Sequence, residues 1–316
     1  MAAAEKEEYF FCRVEPEHYP ALITLYAETF GSRLSIESLG KRYDTSALGA
    51  PHIGFIAIHQ ESGAAAAYYG VFPHQITRGE EVMIVAQSGD TMTHPAHRKK
   101  GLFIRLAKMT YAACEAAGIR YVYGFPNENS LPGFLKHLDW KQTDEVVRYD
   151  LKLRFKTFPL SRLAARYPPF RKLQLWLARR VLQPLRVNRP EEFTSPLAPG
   201  YFRVYRDRHY LDYKSSPETF FIQTDNVICW IRLTDVFWVG EVSDYSALSP
   251  AVLRRLKRLA FLSGFNTIVF HLNKSVPLPV TLAGTKKAGS DLLCFYLPHP
   301  KQPVPLLLTG ADFDTW

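Results

Sequence analysis

The chain has 316 residues, of which 47% are hydrophobic and 14% aromatic. This composition can bury sizeable cores and excludes global disorder, and the length suits two domains better than one. The formal net charge is +9 at pH 7. The charge is concentrated, because residues 151–189 contain eleven Lys or Arg and no Asp or Glu. Any function of the positive charge is therefore to be sought in residues 151–189.

Neither a metal centre nor a membrane span is indicated. The four cysteines stand far apart, without metal or redox spacing, and each is expected to be a buried apolar residue; they are Cys12, Cys114, Cys229 and Cys294. No apolar run approaches the roughly 18 residues that a membrane span needs. The N-terminal residues carry no secretory cleavage pattern. We therefore expect a cytoplasmic protein that binds no metal.

The first part of the chain predicts an alternating set of strands and helices. A strand is expected at 9–14, helices at 16–30 and 35–43, and further strands at 52–59 and 64–71. A fourth stretch of extended chain follows at 82–93 and contains Gly89. A glycine inside a strand indicates either a β-bulge or an ordinary turn residue.

The stretch 82–140 carries the most specific pattern. After the strand comes a turn, 94–101, then a helix from Leu102 that Gly118 ends, a strand at 119–125 and a short helix. The first N–H groups of a helix have no internal partner, and the helix dipole makes that end positive. The run Arg98-Lys99-Lys100 adds full charge there, and Gly101 allows close approach. The pattern predicts a phosphate-binding helix start.

Two common phosphate motifs are missing, namely the P-loop and the Gly-x-Gly-x-x-Gly dinucleotide turn. Residues 98–103 instead read Arg-Lys-Lys-Gly-Leu-Phe. They resemble the Arg/Gln-x-x-Gly-x-Gly/Ala pyrophosphate loop of the GNAT superfamily of acyl-CoA-dependent N-acyltransferases. Phe103 departs from the pattern, which has a small residue there. The resemblance continues with an Asn-rich turn before the short helix. The competing interpretation is any strand–helix–strand unit with a basic helix start.

This resemblance implies the fold and the cofactor. The fold would be α/β (α+β), with a mixed central sheet and helices on both faces, and the cofactor would be acetyl-CoA or another acyl-CoA as co-substrate. The residues that would bind it, including the backbone that stabilises the oxyanion, are Thr91, Met92, Thr93, Arg98, Lys99, Lys100, Gly101, Leu102, Phe103, Asn127 and Asn129.

The catalytic residues are less clear. GNAT enzymes often place a Tyr acid on the short helix, where this chain has Leu135. His137, Tyr123 or a water are the other candidates for the acid. Asp90 is the candidate that would bind the amine or relay its proton. Alternatively, Asp90 forms a turn or caps a neighbouring backbone group.

The second half of the chain resembles a partial repeat of the first. Helix, glycine and strand recur, with Gly264 where the first half has Gly118, but no Arg-x-x-Gly precedes the second helix. We predict a GNAT-like acyl-CoA-binding lobe at 1–150, a basic helical connector at 151–199 and a degenerate GNAT-like lobe at 200–316. Within the connector, the helix 170–183 puts Phe170, Leu173 and Trp176 on one face with basic residues largely opposite.

Three functions fit the sequence. The first is N-acyl transfer from acyl-CoA to a primary amine of a small acceptor, such as an amino sugar. The second is a Fem-type aminoacyl transferase that uses charged tRNA, and the third is a non-catalytic acyl-CoA-binding protein. We favour the first, with a small-molecule partner rather than nucleic acid. For 151–189 we favour packing of the amphipathic helix over peripheral membrane contact.

Overall fold

The structure, a computed structural model, describes residues 7–153, 160–196, 200–277, 282, 290–296 and 304–314. The chain divides into two compact units. Unit 1 comprises residues 1–76, 82–143 and 292–303, and unit 2 comprises 77–81, 144–291 and 304–316. Each unit thus draws on both halves of the chain, whereas the sequence placed boundaries at residues 150 and 199. Residues 154–159 and 197–199 of the predicted connector lie outside the described residues.

The described residues of unit 1 form a mixed sheet with four α-helices. Its strands follow the order β1-β2-β3-β4-β5-β12, in which β4 and β5 are parallel while the pairs β1–β2, β2–β3 and β5–β12 are antiparallel. The elements are β1 (Tyr9–Arg13), α1 (Tyr19–Phe30), α2 (Ile36–Tyr43), β2 (Ile53–His59), β3 (Ala65–Arg78), β4 (Glu81–Thr93), α3 (Leu102–Ala116), β5 (Tyr121–Gly124), α4 (Leu131–His137) and β12 (Ser290–Tyr296).

Helices cover both faces of the unit 1 sheet. Tyr69 and Val71 of β3 pack with α3 and α4, while Tyr68 and Phe72 pack with α1 and α2. Successive side chains of a strand point to opposite faces, so β3 contributes to two cores at once. This explains why β3 reads as a continuous apolar run rather than an alternating one. The predicted fold class, a mixed sheet with helices on both faces, is confirmed.

Unit 2 repeats part of this arrangement. Its strands follow the order β6-β11-β10-β9-β8, in which β10 and β11 are parallel and the other neighbouring pairs are antiparallel. The elements are β6 (Lys141–Lys152), α5 (Leu160–Arg166), α6 (Pro168–Leu182), β7 (Phe202–Val204), α7 (Arg208–Tyr213), β8 (Thr219–Thr224), β9 (Val227–Leu233), β10 (Phe237–Val242), α8 (Pro250–Leu262), β11 (Thr267–Asn273) and β13 (Leu306–Leu307). The short strand β13 pairs with β7.

In each unit, one strand of the sheet comes from the opposite half of the chain. β12, from the C-terminal half, lies beside β5 in unit 1. β6, from the N-terminal half, lies beside β11 in unit 2. No strand was predicted at 141–152 or at 290–296. The strand predicted at 64–71 is longer than expected, because β3 continues past Pro73 to Arg78.

The buried face of α6 is not the one that its apolar pattern predicts. Gln174, Ala178 and Leu182 are buried, at the i, i+4, i+8 spacing of one helix face. Gln174 donates a hydrogen bond from Nε2 to Gly264 O (2.7 Å), at the end of α8. Phe170 and Trp176 remain exposed. The expected packing of the large apolar residues is therefore wrong, because α6 turns the face of Gln174, Ala178 and Leu182 inward and leaves Phe170, Leu173 and Trp176 exposed.

Three of the four cysteines are buried, as predicted, and Cys12 is partly exposed. Burial raises the pKa of the Cys114 thiol to about 12. Such a thiol stays protonated near neutral pH and is inert as a nucleophile. The described residues contain no group of three or more His, Cys, Asp or Glu that could hold a metal ion.

Candidate functional site

The site is built where β4 runs past the end of β5. Ala86, Gln87 and Ser88 pair with β5, which ends at Gly124, while β4 continues to Thr93. The His94 N–H donates to Ala66 O of β3 (2.9 Å). Since N–H groups alternate sides along a strand, those of Thr93 and Thr91 point away from β3. These two backbone donors belong to the segment predicted to face the thioester.

Asp90 interrupts the regular strand. Its φ of 53° is in the left-handed region, which a non-glycine residue rarely adopts. Its side chain is almost buried and forms a bidentate ion pair with Arg42 of α2. Arg42 Nε lies 2.6 Å from Oδ2 and Nη2 lies 2.7 Å from Oδ1. The irregularity expected near Gly89 is thus at Asp90, and its carboxylate is engaged by a guanidinium.

The turn before α3 has a defined backbone. His94 Nδ1 accepts a hydrogen bond from the Ala96 N–H (3.2 Å), and a short 3-10 turn spans Pro95–His97. Lys99 and Gly101 follow with φ of 65° and 73°. Gly101 is the N-cap of α3, and no side chain caps this helix start. A Cβ added at Gly101 would meet nothing within 4 Å, so the space in front of the helix is open.

The three cations of the turn have different surroundings. Arg98 and Lys99 are exposed. Lys100 donates to the Glu8 carboxylate and lies over the Tyr9 ring, with Nζ 5.6 Å from its centroid. The hydrogen bond to Glu8 raises the pKa of Lys100. Lys100 is exposed too, but Glu8 balances its charge, so Arg98 and Lys99 carry the net positive charge of the turn.

Phe103 turns away from the helix start. Its ring packs on Phe134 of α4 (5.2 Å between centroids) and on Tyr69 (5.7 Å). A Cβ added at Gly133 would lie 2.7 Å from Phe103 Cε1, so the glycine makes room for the ring. The departure of Phe103 from the expected small residue is thus accommodated by a glycine on α4. The backbone N–H groups of the helix start are unaffected.

Asn127 and Asn129 lie in the turn before α4. Asn127 Oδ1 accepts hydrogen bonds from the N–H groups of Asn129 and Ser130, each at 3.0 Å. Its own N–H donates to Ser130 Oγ (3.1 Å). Asn127 thereby satisfies donors of the kind that helix starts leave unpaired. Asn129 is exposed.

The candidate acids lie in contrasting environments. Tyr123 of β5 is fully buried, and its hydroxyl lies 3.0 Å from His74 Nε2. His137 is exposed in the last turn of α4. Leu135, at the position where a Tyr was expected, is also exposed. The structure therefore supplies one buried hydroxyl and one accessible imidazole.

Sequence reasoning missed a buried chain of polar side chains beside this site. Ser88 Oγ donates to Tyr69 Oη (2.9 Å), and Tyr69 Oη lies 2.8 Å from Tyr111 Oη. Trp140 Nε1 donates to Tyr111 Oη (2.9 Å). Burial raises the pKa of both tyrosines. Neither these hydrogen bonds nor the pairing of Arg42 with Asp90 could be predicted from local sequence, because the partners lie up to 48 residues apart.

Residues 12–143 match the family model described as an acetyltransferase (GNAT) domain. Unit 1 carries a GNAT acetyltransferase domain. The match includes β4, the turn and α3, which were identified above from their geometry. Comparison with curated proteins gives no match.

Solved structures resemble the chain beyond the GNAT domain. A protein of Pyrococcus horikoshii, provisionally described as an acetyltransferase, is 11% identical over 97% of this chain and 95% of its own, with a TM-score of 0.54. A probable N-acyltransferase of Enterococcus faecalis V583 is 13% identical over 92% of this chain and 73% of its own (TM-score 0.57). A GCN5-related N-acetyltransferase of Kribbella flavida is 12% identical over 92% and 71% (TM-score 0.53). These likenesses concern the fold.

Unit 2 contains the same strand–helix–strand order, but its helix start is closed. Ser249 Oγ accepts a hydrogen bond from the Val252 N–H (3.3 Å), and Pro250 at the first turn has no N–H. No basic run precedes α8, since residues 244–248 read Asp-Tyr-Ser-Ala-Leu. At the start of α8, unit 2 thus lacks the open basic turn that precedes α3 in unit 1.

In unit 2, β10 continues beyond the residues that pair with β11, and another segment of the protein occupies the space beside this continuation. Only Phe237 and Trp238 pair with β11. Residues 306–313, here called the tail segment, lie in this place. Thr309 bridges to Leu272 of β11, and a Cβ at Gly310 would lie 3.3 Å from Gly240 Cα of β10.

A buried ion cluster holds the tail segment. Arg206 pairs with Asp312 and Glu241, each at 2.6 Å, and all three side chains are almost inaccessible. Burial raises the pKa of the Glu241 carboxyl, although the Arg206 charge opposes this.

Among the described residues, no helix combines the length and the apolar character needed to cross a membrane.

Proposed function

We propose that this protein transfers an acetyl or other acyl group from acyl-CoA to a primary amine of a small acceptor, with an amino sugar as the first class to test. The start of α3 carries the proposal. It combines an uncapped helix N-terminus, open space in front of Gly101 and two exposed cations, in a GNAT acetyltransferase domain. These features suit a pyrophosphate.

The residues of the turn fit such a group. The N–H groups at the start of α3 would hold phosphate oxygens, and Arg98 and Lys99 would neutralise their charge. Gly101 has a positive φ and no neighbour within 4 Å of an added Cβ, so its backbone can be approached closely. Lys100 would support the turn through Glu8 rather than contact the ligand.

The extension of β4 supplies donors for the acyl oxygen. The N–H groups of Thr91 and Thr93 point to the side on which β5 has ended. A backbone N–H in this position stabilises negative charge that develops on a carbonyl oxygen. In the transfer, the amine nitrogen bonds to the acyl carbon, the C–S bond breaks, and the amine proton passes to the departing sulfur or to solvent.

Asp90 is a positioning residue in this proposal. Its bidentate pair with Arg42 fixes the strained residue next to Thr91. A carboxylate held in this way is a poor general base, because proton uptake would cost it the ion pair. His137 or a water would then handle the proton of the departing thiol. Tyr123, fully buried against His74, would support β5.

The experiment is release of CoA thiol from acetyl-CoA in the presence of a panel of small amines, including amino sugars, polyamines and amino acids. We expect turnover that depends on one amine class and yields an N-acetylated product by mass spectrometry. Thiol release that no amine stimulates, in a protein that binds acetyl-CoA, would contradict the transferase assignment.

A matched pair of variants tests the cofactor site. Gly101→Asp puts a carboxylate where phosphate would lie and should abolish binding of acetyl-CoA. Gly63→Asp makes the same substitution in the turn between β2 and β3, at a φ of 68° and also in open space. The Gly63→Asp variant has the same backbone strain but lies away from the start of α3, so it should bind acetyl-CoA as tightly as the parent.

A further inference from the structure

Helix α6 presents large apolar side chains to solvent. Phe170, Leu173 and Trp176 recur every third residue and are 38%, 49% and 55% exposed. Tyr167, directly before the helix, is exposed at the same spacing. Soluble surfaces rarely collect such side chains without a partner. We call these four residues the apolar stripe.

Cations surround the apolar stripe. The exposed basic side chains are Arg166, Lys172, Arg179 and Arg180. Arg180 lies over the Trp176 ring at 5.6 Å and Arg166 over the Tyr167 ring at 5.6 Å. The sequence has no Asp or Glu between residues 151 and 190. The surface therefore carries unbalanced positive charge next to apolar groups.

The inner side of α6 is already satisfied. Its buried residues pack in the core of unit 2, and Arg171 donates to the carbonyl oxygens of Leu233 (3.0 Å) and Thr234. Glu218 and Asp235 line a cavity of about 470 Å³ with Arg171 and Gln174, on this inner side. The outer side is thus a separate surface, and its large apolar side chains stay exposed rather than joining the core that the described residues of unit 2 form.

We propose that this outer surface of α6 binds the surface of an anionic lipid bilayer, with the apolar stripe inserted among the headgroups and the cations on lipid phosphates. A helix that lies in the membrane interface has this composition, with Trp, Phe and Leu on one side and Lys or Arg beside them. Aromatic side chains with polar edges favour the headgroup level. The inference concerns location and does not depend on acyl transfer.

The chemistry of the surface favours lipid over two other partners. A second copy of the chain would bring its own cations against these, since both surfaces carry the same charge. An RNA would be bound by the cations and by stacked rings, but Leu173 offers no ring to stack on. A bilayer accepts both the cations and the aliphatic side chain.

The first experiment measures co-sedimentation with vesicles. Vesicles of phosphatidylcholine with a quarter of phosphatidylglycerol should bind the protein at least about tenfold more tightly than phosphatidylcholine alone, and high salt should weaken the binding. Equal binding to both vesicles, or none to either at low salt, overturns the proposal. Tighter binding of an RNA oligonucleotide than of the anionic vesicles would also overturn the proposal.

Paired variants locate the surface. Lys172→Glu with Arg180→Glu should reduce vesicle binding by about tenfold or more. Arg254→Glu with Arg258→Glu makes the same change of charge on the exposed side of α8 and should have much less effect. Leu173→Ser should weaken binding, whereas Ile36→Ser, at another exposed apolar residue, should not. Equal losses within either pair would show that only overall charge or hydrophobicity matters.

Tryptophan emission provides an independent readout of insertion. Of the tryptophans that the structure describes, Trp176 is exposed, Trp238 is partly buried, and Trp140 and Trp230 are buried, so the larger part of a blue shift on vesicle binding should come from Trp176. The shift should be lost in Trp176→Phe, while the variant still sediments with anionic vesicles. A shift that persists in this variant would place the contact elsewhere and overturn the proposal. Acetyl-CoA binding and circular dichroism confirm that each variant is folded.

Discussion

The two strand–helix–strand crossovers, β4–α3–β5 and β10–α8–β11, share a connectivity and differ in what lies at their openings. In unit 1 the helix begins at an uncapped glycine behind three cations. In unit 2 a serine caps the helix and the tail segment lies between β10 and β11. One arrangement of strands thus leaves its opening free beside an uncapped helix start in unit 1 and is filled by the protein's own tail segment in unit 2.

The tail segment occupies its place through charge as well as shape. Arg206 is surrounded by Asp312, Glu241 and the Thr309 hydroxyl, to which it donates at 3.0 Å. Leu308 donates from its N–H to Asn273 Oδ1 (2.7 Å), so β11 holds the same segment from the other side. Unit 1 has no counterpart of this cluster among the described residues that pair with β4, namely β3 and β5.

The largest effect should come from breaking this cluster. Arg206→Met leaves two carboxylates buried without their cation, and we expect a loss of about 3–5 kcal/mol in the free energy of unfolding. Arg255→Met is the control, because its ion pair with Asp225 has the same 2.6 Å distance but is exposed. The control should lose less than about 1 kcal/mol. Urea unfolding measures both, and similar losses would refute a structural role for the cluster.

The second prediction adds the same negative charge to each helix start. Gly101→Asp should weaken acetyl-CoA binding at least about 100-fold, which corresponds to about 2.7 kcal/mol. Ser249→Asp should leave it unchanged, because aspartate is also a good N-cap. Isothermal titration calorimetry should give one acetyl-CoA per chain for the parent and for Ser249→Asp. Two sites per chain would show that the tail segment does not close unit 2.

The third prediction compares two candidate site residues in unit 1. Asp90→Asn removes the charge that holds Arg42 and should lower kcat/KM by roughly 10- to 100-fold through misplacement of β4. His137→Gln, at an exposed position, should cost less. Acyl transfer to an identified amine is measured, with acetyl-CoA affinity determined separately. If His137→Gln were inactive while binding acetyl-CoA, and Asp90→Asn active, His137 would be the acid and the ranking would be reversed.

The smallest effect for a single step in conditions is expected per unit of pH, and it comes from two buried histidines. Burial lowers the pKa of His52 in unit 1 to about 3 and that of His271 in unit 2 to about 4. In the unfolded chain both should titrate near 6.5. Below that pH the unfolded state binds more protons, so stability should fall with falling pH, by at most about 1.4 kcal/mol per pH unit and histidine.

His52→Gln and His271→Gln each test one unit. Each variant should show a shallower loss of unfolding free energy than the parent between pH 6.5 and 4, the lower bound being the pKa of His271. His271 lies beside Phe313 (4.9 Å between ring centroids), so its protonation should also loosen the tail segment. Urea unfolding at several pH values measures the slopes. A slope unchanged by either substitution would show that the histidine is not neutral and buried in solution.

Local patterns in the sequence predicted most elements of unit 1 and the open turn. The helix from Leu102, the glycine at its start and the basic run before it are local features, because turn geometry and helix capping depend on neighbouring residues. The Ser249-Pro250 start of α8 depends on neighbouring residues in the same way. The ion pair of Asp90 with Arg42 was not predictable, since Asp90 lies on β4 and Arg42 on α2, 48 residues apart.

Only the tertiary structure decided which strands pair and which helix face is buried. The exchange of β6 and β12 rests on pairing between distant residues, such as Phe270 with Tyr149, for which sequence gives no local signal. The outward position of Phe170 and Trp176 depends on how Gln174 and Ala178 fit against α8. The sequence by itself determined a GNAT-like domain with one open helix start, because that information is local. The closure of unit 2 by the tail segment required contacts such as Arg206 with Asp312, 106 residues apart.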